Sequence, residues 1–203
     1  RLGLLRFNAA LSNTSAEDFV QQILVGRLGA REVWIGPDFR FGHGRRGDVA
    51  MLRDLGAELG FSAHAIEPVL IDGERVSSTR IRAALLAGDH ALARSLLGRD
   101  FAIGGRVIHG QKLGRTLGYP TANIALRKRL PPVHGIYAVR VSGAGLRDWP
   151  SVASLGTRPT VNGRELLLEA HLFDFDGDLY GQRLRVDFVG KIRDEARFAN
   201  LDD

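Results

Sequence analysis

The chain has 203 residues, 44% of them hydrophobic and 25% charged, with a formal net charge of +5, which points to one or two globular domains and excludes wholesale disorder. Cysteine is absent; this excludes a disulfide scaffold, a thiolate metal site and a cysteine nucleophile, and it favours the cytoplasm. No apolar run approaches the roughly 18 residues of a membrane span, and the positive charge is almost all arginine, with lysine only at Lys112, Lys128 and Lys191. A basic balance suits anionic partners, nucleotides among them, without choosing between them. There is no block of like charges that would mark a nucleic-acid arm. The chain opens on Arg1 without a signal-peptide core, so it is expected to be an excerpt of a longer protein.

In chain order, residues 1–98 alternate between strand and helix signals. Leu2 to Phe7 is a short apolar run. Thr14 with Glu17 three residues later marks a helix start, and Phe19, Ile23, Leu24 and Leu28 follow at helical spacing up to Gly29. Val33 to Ile35 reads as a buried strand. Met51, Leu52, Leu55 and Leu59 mark a helix closed by Gly60, and Phe61 to Val69 reads as extended. Ser77, Ser78 and Thr79 precede a helix carrying Ile81, Leu85 and Leu86, and a second short helix runs to Gly98. Such alternation implies a parallel sheet with crossover helices.

Residues 99–203 change character. Ile103 to Ile108, Gly135 to Val141, Val152 to Leu155, Glu165 to Phe175 and Leu184 to Val189 are strand candidates. Turn pairs separate them, and Asn162-Gly163 reads as a hairpin turn. The pattern is that of an all-β barrel or sandwich, with the boundary placed near Gly98–Arg99.

Four stretches are candidates for chemistry. Gly42-His43-Gly44-Arg45-Arg46-Gly47 has the glycine spacing of a dinucleotide fingerprint, but Pro37 to Phe41 separates it from the preceding strand, so a mobile loop holding phosphates through Arg45 and Arg46 is the alternative. Arg75 to Arg82 sets hydroxyls and arginines at a helix start, which suits either phosphate binding or simple capping. Gly105 to Asn123 is the densest signal. It fails as a P-loop, because one residue separates Gly110 from Lys112 and Leu113 stands where Ser or Thr is needed. It still offers an anion cradle, and Thr121 and Asn123 point one way along an extended segment, as two oxygen donors for a hard cation would; a Gly-rich hairpin is the alternative. In Glu165 to Phe175, Leu166, Leu168, Ala170 and Leu172 form one face, while Glu169 and His171 share the other, either as a wet strand face or as a site. The histidines show no metal-ligand spacing.

Taken together, these motifs resemble the bacterial bifunctional riboflavin kinase / FMN adenylyltransferase (FAD synthetase) family. The likeness is carried by Gly105-x-Val107 through Pro120-Thr121-Ala122-Asn123, Gly135 to Val139, Leu155 to Thr160, Leu168-Glu169-Ala170-His171, Leu179-Tyr180-Gly181 and Phe188 to Arg193, and in the first half by Ile35 to Gly42 and Ser77 to Arg82. It implies an α/β plus all-β architecture: a partial Rossmann-like nucleotidyltransferase domain at 1–98, without the family's His-x-Gly-His opening, then a small antiparallel β-barrel kinase domain at 99–203, without the family's C-terminal helix. The resemblance further implies that riboflavin is phosphorylated by ATP to FMN, and FMN adenylylated to FAD. Glu169 would be the catalytic base and Thr121 and Asn123 the Mg²⁺ ligands. Gly110, Lys112, Gly114, Arg115 and Gly118, with Thr121 and Asn123, would bind ATP for the kinase. Asp38, Ser78, Thr79 and Arg82 would bind it for the adenylyltransferase.

The expected partners are these small molecules, with no nucleic acid or membrane, in a monomer or weak homo-oligomer. Two other classes compete. A dinucleotide-dependent oxidoreductase would rest on Gly42 to Gly47, with Glu67 as the ribose-binding acid. A non-catalytic nucleotide- or nucleic-acid-binding module would rest on charge and barrel alone, although no strand alternates aromatic with basic residues.

Overall fold

The computed structural model describes residues 3–110, 119–126, 131–160 and 163–195. Packing groups them into two compact units, Arg1–Arg75 and Val76–Asp203.

In the first unit, a helical turn α1 (Ala9–Ser12) precedes α2 (Ala16–Asp18), which continues as a π-helix over Phe19–Arg27. The cap lies one residue beyond the expected Thr14: Ser15 Oγ accepts from the Asp18 N–H at 2.9 Å, while Thr14 Oγ1 donates back to the Ala10 carbonyl. Strands β1 (Glu32–Ile35) and β2 (Ser62–Ala65) pair in parallel, with Trp34 opposite His64. Helix α3 (Val49–Leu59) makes the crossover; Asp48 caps its start and left-handed Gly60 ends it. Val20, Phe41, Leu52 and Phe61 form a small core. The run Leu2–Phe7 forms no strand within the described residues, and Leu4 and Phe7 are 87% and 82% exposed. Apolarity without a partner strand leaves backbone groups for water to satisfy. A tight hairpin of β3 (Leu70–Ile71) and β4 (Glu74–Arg75) closes the unit, with Asp72 and Gly73 both at positive φ, as a primed turn requires.

The second unit opens with α4 (Ser78–Leu86) and α5 (His90–Leu97). Ser77 is the N-cap of α4, its Oγ accepting from the Arg80 N–H at 3.2 Å. Asp89 caps α5 in the same way, and left-handed Gly98 ends it. Ala84, Leu85 and Ala93 pack into the core of the strands that follow. By packing, then, the stretch 78–97 groups with the barrel, whereas the change of sequence pattern puts the boundary near Gly98–Arg99.

Those strands are β5 (Phe101–Ile108), β6 (Ala122–Ile124), β7 (Gly135–Gly143), β8 (Leu146–Thr160), β9 (Gly163–Leu172) and β10 (Arg183–Arg193). They close a barrel in the order β10-β5-β6-β9-β8-β7, antiparallel at every seam. Closure removes the unpaired edges that an open sheet would present. Period-two alternation sends Val141, Leu155, Leu168, Ala170 and Val186 inward, all fully buried, around Tyr137 and Phe188, whose rings meet edge to face at 5.1 Å.

The barrel has one strand more than the sequence suggests. Residues Ala122–Ile124 are too short to show a period, and all three are buried. Strand β9 stops at Leu172, short of the expected Phe175, because Asp174 turns the chain with φ +53°. The β8–β9 ladder runs to Thr160↔Gly163, and the hairpin turn expected at Asn162-Gly163 falls on Asn162, which lies outside the described residues.

Candidate functional site

The functional geometry follows from how β6 is held. Its ladder with β9 sets Ala122 against Ala170, Asn123 against Glu169 and Ile124 against Leu168. Partners across an antiparallel ladder project to the same face, with Cβ atoms roughly 4.5–5.5 Å apart. Ala170 and Leu168 point into the core, so Asn123 and Glu169 share the opposite face. The carboxylate and one of the expected cation donors are thereby brought together from positions 46 residues apart in the sequence.

Asn123 is only 6% exposed, and its Oδ1 is buried with no hydrogen-bond partner among the described residues. A buried carbonyl oxygen left unpaired costs about 1–3 kcal/mol. A water, an ion or a ligand group in the neighbouring cavity could satisfy it. Gly110 lies directly over this side chain: a Cβ there would stand 2.4–2.8 Å from the carboxamide atoms. Thr121 sits two residues before Asn123, at the entry to β6. The pair supplies neutral, hard oxygens, which suit a cation that keeps waters and shares phosphate oxygens. Among the described residues no group of three or more His, Cys, Asp or Glu is placed to hold a metal.

Beside these donors, the end of the barrel opens into a cavity of about 340 Å³. Val107 of β5 and Gly110 just beyond it, Pro120 and Thr121 leading into Ala122 and Asn123 of β6, Leu172 of β9, and residues 175–180 of the following loop wall it. Glu169 is not part of this wall; it stands at the ladder position beside Asn123. The loop adds groups that the sequence did not single out. Asp176 and Asp178 line the cavity, and Asp178 Oδ1 accepts from the Tyr180 N–H at 2.9 Å. The Tyr180 ring lies 4.0 Å from that of His109. The Asp-x-Asp spacing in a turn was the only available signal for these residues. Lys112, Gly114, Arg115 and Gly118 lie outside the described residues.

The remaining candidates lie elsewhere. Asp38 is exposed and forms an ion pair with Arg75 in the first unit. At the start of α4, Ser77 takes the Arg80 N–H, which leaves the N–H groups of Ser78 and Thr79 without a helical acceptor. Arg82 Nη2 donates to Ser78 Oγ at 3.0 Å, on the same face one turn on.

The glycines of 42–47 serve their own loop. Phe41 and Gly47 exchange backbone hydrogen bonds of 2.9 and 3.1 Å. A Cβ on Gly47 would strike the Phe41 ring, and one on Gly42 would strike Ala16. The segment between them is a 3₁₀ turn at His43–Arg45, not a tight strand-to-helix turn, so the dinucleotide reading finds no support.

This arrangement defines a class: a small closed antiparallel barrel with a ligand cavity at one end, flanked by hard oxygen donors and a carboxylate. The chain belongs to the riboflavin kinase family, whose model matches residues 97–203; a second model, described as FAD synthetase, matches residues 1–80. Among curated relatives, the bifunctional riboflavin kinase/FMN adenylyltransferase of Pseudomonas fluorescens is 50% identical over 203 residues, covering 100% of this chain and 65% of its own length. That of Escherichia coli (strain K12) is 47% identical over 199 residues, covering 98% of this chain and 64% of its own length. The chain thus spans just under two thirds of these relatives. A crystal structure titled as a macrolide-efflux protein from Streptococcus pneumoniae superposes with a TM-score of 0.79 at 31% identity, over 97% of this chain and 63% of that one. No helix among the described residues is long and apolar enough to cross a membrane.

Proposed function

We propose that the protein phosphorylates riboflavin with ATP to give FMN and ADP, and that it contributes to the adenylylation of FMN by a second ATP to give FAD and pyrophosphate. The observation that carries the first step is the unpaired, buried Oδ1 of Asn123 held opposite Glu169 beside the cavity. Thr121 and Asn123 would hold Mg²⁺, which when bound offsets charge on the phosphate oxygens. The cavity takes the nucleotide, with Gly110 at its wall and Lys112, Gly114, Arg115 and Gly118 covering the phosphates. Glu169 accepts the proton of the ribityl 5′-hydroxyl as that oxygen bonds to the γ-phosphorus and the bridging oxygen leaves with ADP. Transfers of this kind have loose transition states and depend mainly on positioning and charge neutralisation.

For the second step, the N–H groups at the start of α4, with Ser78, Thr79 and Arg82, would provide phosphate contacts, and Asp38 of the first unit is proposed as a further nucleotide-binding residue. Residues 1–98 would serve this reaction and 99–203 the kinase. The protein would work in the cytoplasm on small molecules, as a monomer or weak homo-oligomer, with no role for nucleic acid or membrane. The test is to incubate the intact protein with riboflavin, ATP and Mg²⁺ and separate the flavins by chromatography. The reading requires FMN to form, and unconverted riboflavin would overturn it.

A further inference from the structure

Strand β6 is held weakly at the end that matters. Its ladder with β9 ends at Ala122↔Ala170, and its ladder with β5 covers Val107↔Ile124 and Ile108↔Asn123. One step further along, Thr121 falls beside His171, but the residue before it is Pro120, which has no N–H to give to a ladder. Among the described residues no backbone hydrogen bond is recorded for Tyr119, Pro120 or Thr121. A side chain reaches this segment: His171 Nδ1 lies 2.9 Å from the Pro120 carbonyl oxygen.

A carbonyl oxygen only accepts, so Nδ1 carries the hydrogen and donates. The imidazole itself is fixed on two sides. Its backbone is paired with Val152 of β8, and its ring meets Tyr119 and Phe173 edge-on, with centroids 5.6 Å apart in each case. His171 also stands two residues from Glu169 on the same face of the same strand.

We propose that His171 is a positioning residue of the kinase centre. Its Nδ1–H anchors the Pro120 carbonyl where the proline has no N–H of its own to give to the ladder, and so fixes Thr121 relative to Asn123 and both relative to Glu169. The inference rests on the reading of Thr121 and Asn123 as cation donors. The sequence set His171 beside Glu169 on one face, but it gave no sign that the ring reaches across to the Pro120 carbonyl.

Two variants separate the ring from its donor. His171→Phe keeps a planar ring between Tyr119 and Phe173 and removes the N–H. His171→Asn removes the ring but keeps an N–H two bonds from Cβ. Binding of Mn²⁺·ATP to the intact protein, followed by loss of the free-manganese EPR signal, reads the donor pair without turnover. Loss of one hydrogen bond should weaken binding about tenfold in His171→Phe, while His171→Asn stays within about threefold of wild type. In turnover, the KM for riboflavin should change by less than about twofold while the Mg²⁺ requirement rises. Wild-type binding by His171→Phe, or binding by His171→Asn no better than that of His171→Phe, overturns the proposal.

Asn123→Ala, measured alongside, separates the two claims. If it leaves Mn²⁺·ATP binding unchanged, the donor reading itself fails. If it weakens binding while His171→Phe does not, only the role of His171 fails. Nitrogen-15 NMR of the unsubstituted protein gives a check free of any folding defect: the neutral His171 ring must carry its proton on Nδ1, and an Nε2–H tautomer refutes the contact.

Discussion

In the barrel, Val141, Leu155, Leu168 and Val186 are completely buried, whereas in the first unit Trp34, Ile66 and Val69 are 58%, 52% and 67% exposed. The contrast has a topological cause. Six strands closed on themselves satisfy their own backbone groups and enclose their own apolar face. Two parallel strands do neither, since parallel sheets are normally covered on both faces. The barrel therefore forms a cavity and sets Asn123 beside Glu169 from neighbouring strands. In the first unit, Asp38 stands exposed and paired only with Arg75. Helix α4 makes the comparison sharper, because it packs with the barrel core yet carries the residues proposed for the other reaction.

The largest expected effect is at Glu169. Replacing it with Gln removes the base and keeps the shape, so the rate of FMN formation should fall by about 10²–10⁴-fold with flavin affinity little changed. Pre-steady-state turnover together with riboflavin binding measures both, and an undiminished rate removes Glu169 from the role.

Next comes Asn123→Leu, which should lower kinase activity by at least about 100-fold, since losing a proposed ligand should cost no less than losing a partner of one. The same change replaces an unpaired buried acceptor by apolar volume, so thermal unfolding should show stability level or raised by up to about 1 kcal/mol. Falling stability would mean that Oδ1 has a structural partner after all.

Gly110→Ala forces the Asn123 carboxamide to move. About tenfold lower kcat/KM is expected, where a misplacement of about 1 Å costs up to about 100-fold. Wild-type kinetics would show that the loop yields instead.

Arg82→Ala should lower FAD formation about tenfold and spare FMN formation, since it removes a charge-assisted contact at one centre only. Parallel loss of both products would indicate general destabilisation.

The smallest effect concerns pH. His90, in the first turn of α5, is 9% exposed, its Nε2 lacks a partner, and burial holds its pKa below the ordinary histidine value. The unfolded chain then binds a proton that the folded one resists, so stability present at neutral pH is lost as pH falls through the unfolded histidine range, from about pH 7 to 5. His90→Gln should flatten that part of the denaturation profile, and parallel profiles would refute the assignment.

Much of this was legible before any coordinates. Leu166, Leu168, Ala170 and Leu172 announce one face of β9 by period two. Ser77 to Thr79 announce the start of α4, and the glycines at 60 and 98 announce where helices end. The motifs identified the family because they occur together in order. Strand β6 was invisible because three buried residues, Ala-Asn-Ile, have no period to read. The cap falls on Ser15 and not on Thr14 because either of two adjacent hydroxyls can cap, and Thr14 is drawn back to the Ala10 carbonyl of the preceding helical turn.

The sequence by itself determined which residues have chemistry to offer: a carboxylate and an imidazole on one strand face, and two oxygens around a short turn after Pro120. Only the tertiary structure decided that these groups meet. Register between strands distant along the chain is set by closure of the barrel and by its shared core, and no local periodicity carries that information. The burial of Asn123, the bare approach of Gly110 and the reach of His171 to the Pro120 carbonyl are all consequences of that register.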